Sequence, residues 1–253
     1  MLIKTVDLKK EYKIGDNTIK AVNGVDLQIE AGKFISIMGP SGCGKSTIFR
    51  LINRLLQPKS GEIRIAGESI YQKKSPCGYM PQQDLLFPWR TVEENLRLPM
   101  EIRGGLSKAE MKEKTEEALK NVGLEAWGKK SPSELSGGMR QRAAFARTLL
   151  TGADLLLLDE PFSALDYLTR ISMREWLLQQ WEREKKTVLF ITHDVEEAIY
   201  LSGRILVAEQ MPITGLTSVS VPLGYPRGIE TLKETALLEL REQLIRKLRR
   251  DAE

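Results

Sequence analysis

An α/β fold organised on parallel strands is predicted by three apolar runs, each of which stops at a cluster of polar residues. The run 34–38 leads straight into GPSGCGKST, residues 39–47, and then into a helix-compatible stretch, so strand, loop and helix follow without a gap. The run 154–159 is mostly leucine and is bounded by carboxylates, as expected for a central parallel strand whose end opens on a ligand crevice. The run 187–192 ends on His193, the only histidine in the chain.

Residues 39–47 fit G-x-x-x-x-G-K-[ST] at every fixed position, with Pro40, Ser41 and Cys43 among the variable ones and Thr47 just beyond. Gly39, Gly42 and Gly44 admit backbone conformations closed to other residues, so successive N–H groups turn inward and cradle anionic oxygens. Lys45 adds a mobile cation for terminal phosphates and Ser46 a hydroxyl for Mg²⁺, while the following helix points its positive end at the same place. Cys43 lies inside this loop, so its alkylation is expected to compete with nucleotide. At the end of the leucine run, Asp159 and Glu160 supply what phosphoryl transfer also needs: one carboxylate to hold Mg²⁺, another to orient or deprotonate the attacking water. His193, past a strand end that faces the same crevice, is placed for a phosphate contact.

Bulk properties narrow the class. The 253 residues are 42% apolar and 28% charged, an ordinary globular composition. No apolar run in the core motifs approaches the roughly 18 to 20 residues of a membrane span. The start, MLIKTVDLKKEY, has no apolar export core and no small-residue cleavage site, so a cytosolic location is expected. A formal charge of +4, with Lys and Arg interspersed among Asp and Glu, argues against a nucleic acid partner. Cys43 and Cys77 form no metal-ligand pattern with His193, and no structural disulfide is expected.

The remaining elements follow in order. Residues 2–8 alternate apolar and polar, and 19–22 and 25–29 read as two further strands across an Asn23-Gly24 turn, giving an antiparallel edge sheet. Tyr12 falls between the first two of these strands, where it either stacks on a base or packs on its own hairpin. A helix over 45–56 is broken by Gln-Pro-Lys-Ser-Gly, and a strand resumes over 62–66. Another short strand, 78–81, runs to Gln82 and Gln83 and to the turn Leu86-Phe87-Pro88-Trp89, whose aromatic residues fit either the core or a partner surface. Residues 107–122 read as a helix with a Ser107/Glu110 capping box and with Met111, Ala118, Leu119 and Val122 along a face. LSGGMRQR, residues 135–142, opens a further helix, and Ser136, Gly137 and Gly138 make a second anion nest at its entry. Residues 167–185 read as an amphipathic helix offering Leu168, Ile171, Trp176, Leu177 and Trp181 to the core. The stretch 231–250 carries Leu237, Leu240, Leu244 and Leu248 at helical spacing, a docked helix with Lys and Arg on its wet face.

Taken together these motifs resemble the ATP-binding subunit of an ABC transporter over nearly the whole chain. The resemblance implies an adenine-stacking Tyr12, a Walker A loop at 39–47, and a Q-loop Gln82 near Mg²⁺ and the attacking water, with Gln83 the poorer match. It further implies a Walker B carboxylate at Asp159, a catalytic base at Glu160, a D-loop Asp166 within SALD and a switch His193 that senses the γ-phosphate. The family pattern LSGGQ stands here as LSGGM, with Met139 in the last position and the Ser-Gly-Gly nest intact. In the family two subunits sandwich two ATP molecules, so Ser136, Gly137 and Gly138 are expected to serve the partner copy's nucleotide. DLLFPWRTVEENL, LSGGMRQR and LREQLIRKL resemble the nitrate, sulfonate and taurine importer group, and little sequence remains after residue 225 for the regulatory barrel of sugar-importer ATPases.

The expected architecture is therefore one P-loop NTPase (RecA-like) domain over 1–253. Residues 1–87 and 153–230 form its core with an antiparallel β subdomain, 88–152 an inserted α-helical subdomain, and 231–253 a C-terminal helix. The expected function is ATP hydrolysis, with Mg²⁺, that drives import through transmembrane permease subunits. A homodimer at the cytoplasmic membrane face would do this, paired indirectly with a solute-binding protein. An exporter ATPase and a soluble ABC ATPase acting on nucleic acid are the alternatives.

Overall fold

A computed structural model describes residues 2–72 and 77–249. The outermost parts of the predicted domain and tail, residue 1 and residues 250–253, lie outside the described residues.

The chain opens with two long antiparallel strands, β1 (Ile3–Ile14) and β2 (Asn17–Ile29). This corrects the expected turn at Asn23-Gly24. The reversal falls at Gly15-Asp16, residues 17–29 form one strand, and Tyr12 lies within β1, opposite Ile19. Asn23 instead pairs with Lys9 where the register of β1 shifts between Leu8 and Lys9, and Gly24 has a left-handed φ of 85°. An Asn-Gly pair in a bulged strand looks locally like a hairpin turn.

Strand β3 (Phe34–Met38) and helix α1 (Lys45–Ile52) flank the glycine-rich loop as expected, although α1 stops before residue 56, and Arg54 beyond it is left-handed at φ 60°. Strands β4 (Ser60–Ile65) and β5 (Glu68–Ser69) complete the antiparallel sheet, and β6 (Gly78–Met80) joins the main one. Helix α2 (Val92–Arg103) was not expected; it has its own Thr91/Glu94 capping box, but Pro99 interrupts the pattern by which a helix is read. Helices α3 (Lys108–Asn121) and α4 (Gly137–Leu149) begin where Ser107 and Ser136 cap them. Strand β7 (Leu155–Asp159), helix α5 (Tyr167–Glu184) and strand β8 (Thr187–Ile191) follow. Then come α6 (Val195–Leu201), β9 (Arg204–Val207) and β10 (Thr217–Ser220), none of them expected, and finally α7 (Thr235–Arg249).

Among the described residues the strands make two sheets, ordered β2-β1-β4-β5 and β10-β9-β3-β8-β7-β6. In the larger sheet β9, β3, β8, β7 and β6 are parallel, and β10 closes one edge antiparallel. The leucine run is buried on both faces because the pleat divides it. Leu155 and Leu157 face a layer built from α1 and the antiparallel sheet, whereas Leu156 and Leu158 face a layer with residues of α2 to α5. A third cluster packs Leu237, Leu240 and Leu244 of α7 against Ile199 of α6 and Val207 of β9, so the terminal helix docks as expected.

One core expectation fails on α5. Leu168 is 73% exposed and Ile171 only partly covered, while Met173 and Leu178 are buried beside Leu177 and Trp181. The helix is apolar at both ends of its first turns, and only the packing direction decides which stripe is covered. Leu178→Ala is accordingly expected to cost about 2–5 kcal/mol, and Leu168→Ala no more than about 0.5 kcal/mol, as read from urea unfolding of the two variants.

Candidate active site

The carboxyl ends of β3, β6, β7 and β8 lie along one edge of the parallel sheet, where ligands bind in open α/β sheets. The loop after β3 is held tightly. Gly44 has φ 120°, and a Cβ there would stand 2.6 Å from the Ala21 carbonyl oxygen; one at Gly39 would stand 2.7 Å from that of Ala208. Helix α1 begins directly after Gly44 with no side-chain cap, so its first N–H groups remain turned toward the loop mouth. The Lys45 ammonium is folded over the loop, donating to the carbonyls of Gly39 and Pro40 at 2.7 Å each. Ser41 and Gly42 are exposed at the loop tip.

The thiol of Cys43 is turned the other way. It is 1% exposed, packs in the core layer and lies 3.8 Å from Lys45 Nζ. Cys43 therefore contributes its backbone to the loop, and its thiol is covered. Tyr12 lies beside the phosphate loop and against the core. Its hydroxyl lies 3.2 Å from Thr47 Oγ1, which hangs the ring beside the phosphate loop, and its partly covered side packs on the same core layer.

The adjacent carboxylates diverge. Asp159 is buried at the end of β7 and accepts a hydrogen bond from Ser46; burial pushes its carboxyl above the usual range, and the Ser46 bond opposes the rise. Glu160 has different partners: its Oε2 accepts from Gln82 Nε2 at 3.1 Å and lies 3.5 Å from His193 Nδ1. Gln82 thus reaches the Glu160 carboxylate, while Gln83 is merely exposed.

His193 projects from a braced loop. Thr192 Oγ1 donates to Glu197 Oε2 at 2.6 Å and accepts from the Asp194 N–H at 3.0 Å, and Arg170 lies 3.7 Å from Asp194 Oδ2 and 3.8 Å from Glu197 Oε1. Burial pushes the Glu197 carboxyl up, against the pull of Thr192 and the arginines. Arg170 Nη2 also donates to the Leu165 carbonyl at 3.1 Å, joining this loop to the SALD segment. Asp166 caps α5, accepting from the Thr169 N–H at 3.0 Å, and hydrogen bonds from Thr169 hold its carboxyl below the usual range.

Ser136 caps α4 by accepting from the Met139 N–H at 3.3 Å, which leaves the Gly137 and Gly138 backbone at the helix entry. Met139 packs against the large core layer, an apolar role that accounts for a thioether in that place. No hydrogen bond among the described residues joins Ser136, Gly137 or Gly138 to residues 39–47.

A family model described as ABC transporter matches residues 22–163, more than half of the chain. The chain belongs to the ABC transporter family. It is 46% identical over 213 residues to the formylaminopyrimidine import ATP-binding protein ThiZ of Halalkalibacterium halodurans, covering 84% of this chain and 83% of that protein. It is 40% identical over 228 residues to the aliphatic sulfonates import ATP-binding protein SsuB of Bacillus cereus, covering 90% and 89%. Among solved structures, the dimeric post-hydrolysis state of the ATP-binding cassette MJ0796 bound to ADP and Pi superposes with a TM-score of 0.80 at 33% identity, covering 88% of this chain and all of that one. This ABC protein is an ATP-binding, ATP-hydrolysing subunit with the expected α/β core, antiparallel sheet and helical subdomain.

Three residues that brace the site had no local signal in the sequence. Arg170, Glu197 and Gln141 occupy helical positions where a polar side chain reads as solvated, and only the tertiary structure turns them inward. The strain at Gly44 is the sharpest local test of the ABC site. Gly44→Ala forces a Cβ toward the Ala21 carbonyl at a strained φ, a cost of about 1–3 kcal/mol. Titration with a fluorescent ATP analogue should find binding at least about ten-fold weaker; parental affinity would show that the loop tolerates the shift.

Proposed function

We propose that two copies of this chain sandwich two ATP molecules and power solute import through a membrane permease. The carrying observation is the convergence of Gln82 and His193 on the Glu160 carboxylate, beside Asp159 hydrogen-bonded to Ser46. In this reading residues 39–47 and Lys45 hold the phosphates, and Tyr12 stacks on the base. Ser136, Gly137 and Gly138 with Asp166 face the nucleotide of the other copy.

Ser46 and Asp159 fit Mg²⁺, a hydroxyl and a carboxylate from two elements that leave the other positions to phosphate oxygens and water, with Gln82 nearby. Among the described residues no group of three His, Cys, Asp or Glu forms an all-protein cage, and this mode of binding needs none. When bound, the ion neutralises charge developing on the transferring phosphoryl group. Glu160 takes the proton of the attacking water, Gln82 orients water and carboxylate, and His193 reaches toward the γ-phosphate.

Residues 1–87 and 153–230 act as core, 88–152 as the helical subdomain with the signature loop, and 231–253 as a docked tail. The names of ThiZ and SsuB support import, and SsuB supports the sulfonate branch of the expected group. No helix among the described residues is long and apolar enough to cross a membrane, so attachment rests on docking to the permease at the cytoplasmic face, with a solute-binding protein as an indirect partner. A groove of 1010 Å³ supports that docking; Leu55, Leu85 and Ile102 line it with apolar surface exposed, and Phe87 stands at its side. Buried Asn95 fixes the neighbouring turn by bonding the Phe87, Arg90 and Thr91 backbone, which presents Trp89 at 75% exposure.

Trp89→Ala should therefore weaken association with the permease, or uncouple transport, while basal ATP hydrolysis and the melting temperature hold. A collapsed melting transition would return Trp89 to the core reading.

Glu160→Gln keeps the reach of the side chain and removes its basicity. Mg-ATP should still bind, and hydrolysis should fall by roughly 10²–10⁴-fold. The trapped protein should sediment as a dimer with Mg-ATP and as a monomer with ADP. Adding Ser136→Arg should abolish that dimer without emptying the phosphate loop. A Glu160→Gln protein that stays monomeric at high concentration with Mg-ATP would sink the composite site, and one that hydrolyses at the parental rate would sink the role of Glu160.

A further inference from the structure

Glu160 holds a left-handed backbone, φ 50°, a conformation that L side chains rarely adopt and that persists only when its surroundings impose it. Here the peptide groups on both sides are tied. The Glu160 N–H donates to the Ile191 carbonyl of β8 at 2.9 Å, and the Glu160 carbonyl accepts from Ser163 Oγ at 3.0 Å and from Gln141 Nε2 at 3.1 Å. Gln141 comes from α4, is 4% exposed and spends its whole carboxamide on this loop: Nε2 also lies 3.1 Å from Ser163 Oγ, and Oε1 accepts from the Ala164 N–H at 2.8 Å.

We propose that Gln141 is a positioning residue for Glu160, fastening the helix that begins at the Ser136–Gly138 nest to the backbone of the catalytic base. The inference rests on the reading of Glu160 as that base. Packing alone does not call for an amide, since an apolar side chain of the same size fills the space without buried donors and acceptors to satisfy. What an amide adds is a fixed path for the 160–164 segment. Five residues of helix, about 7.5 Å of rise, separate Ser136 from Gln141. A displacement of the helix entry, as when the nest grips a phosphate of a second copy, is thus delivered to the Glu160 carbonyl through a rigid element, and the base is aimed only when α4 is seated.

The test is a double-mutant cycle on the full chain, read as kcat and KM for Mg-ATP together with melting temperature. Gln141→Met should lower kcat by about 10- to 10²-fold, the scale of a slightly misplaced catalytic group, with KM within about two-fold of the parent. On a Glu160→Gln background, in single-turnover measurements, the same change should add less than about two-fold, because the group it aims is already disabled. Gln141→Glu keeps the acceptor for Ala164 but replaces the amide that donates to the Glu160 carbonyl and Ser163 Oγ with a carboxylate, so it carries the test if the Met variant melts early. Parental kcat in the folded variants, or the same fold-loss on both backgrounds, overturns the inference while leaving Glu160 as the base. Parental turnover by Glu160→Gln alone overturns the base reading and the inference with it.

Discussion

Strands β3, β7 and β8 carry buried side chains toward two layers at once, with Leu155 and Leu157 on one side and Leu156 and Leu158 on the other. A polar group held on such a strand loses its water on every side and must find a partner within the protein. Ser36 is the exception that obeys the rule, its hydroxyl 2.5 Å from that of Ser202. Groups that must instead meet a charged, exchangeable ligand are confined to the ends of the strands, and in this sheet the parallel order brings those ends together. The glycine loop after β3, Asp159 at the end of β7 with Glu160 just beyond, His193 after β8 and Gln82 after β6 are neighbours because the strands that deliver them are dry.

The same constraint separates two adjacent carboxylates. A β-strand sends successive side chains to opposite faces, and the left-handed turn at Glu160 adds a further change of direction just where the strand ends. Asp159 is left in a buried setting beside Ser46, where ionisation is costly and a cation is the natural remedy. Glu160 emerges among Gln82 and His193, in contact with groups that also reach the crevice. One residue of chain therefore divides a buried carboxylate beside Ser46 from one that meets Gln82 and His193, and backbone geometry makes the division.

Much of this was legible in the sequence where the cause is local. Gly44 announces its conformation because glycine alone tolerates it, Ser107 and Ser136 announce their helices because a cap acts within four residues, and the leucine run announces a doubly covered strand. Reading failed where the cause is distant. Asn23-Gly24 has the composition of a turn, but the pairing of Lys9 with Asn23 overrides it with a bulge. Leu168 and Leu178 are the same residue type on one helix, and only the position of the layers beneath α5 leaves the first exposed and buries the second. Pro99 masked α2, although Thr91 and Glu94 spell its start. Arg170, Glu197 and Gln141 were invisible for a related reason: polar residues on helices are usually solvated, and nothing within a few positions tells that these three are turned toward the strand ends.

Those three residues join the carboxyl edge of the parallel sheet to neighbouring segments of the chain. Arg170 ties the loop bearing His193 to the carbonyl of Leu165 in SALD, and Gln141 ties Glu160 to the helix opened by Ser136. Each bond is ordinary in strength, but Gln141 is buried, so breaking its bonds leaves donors or acceptors without water. If ATP at one site seats the signature helix of the other copy, coupling must run both ways, because an interaction that lets the nest influence Glu160 equally lets the state of Glu160 influence the nest. A buried amide and a partly buried guanidinium thus tie the Glu160 backbone and the loop bearing His193 to the segments that begin at Ser136 and run through SALD.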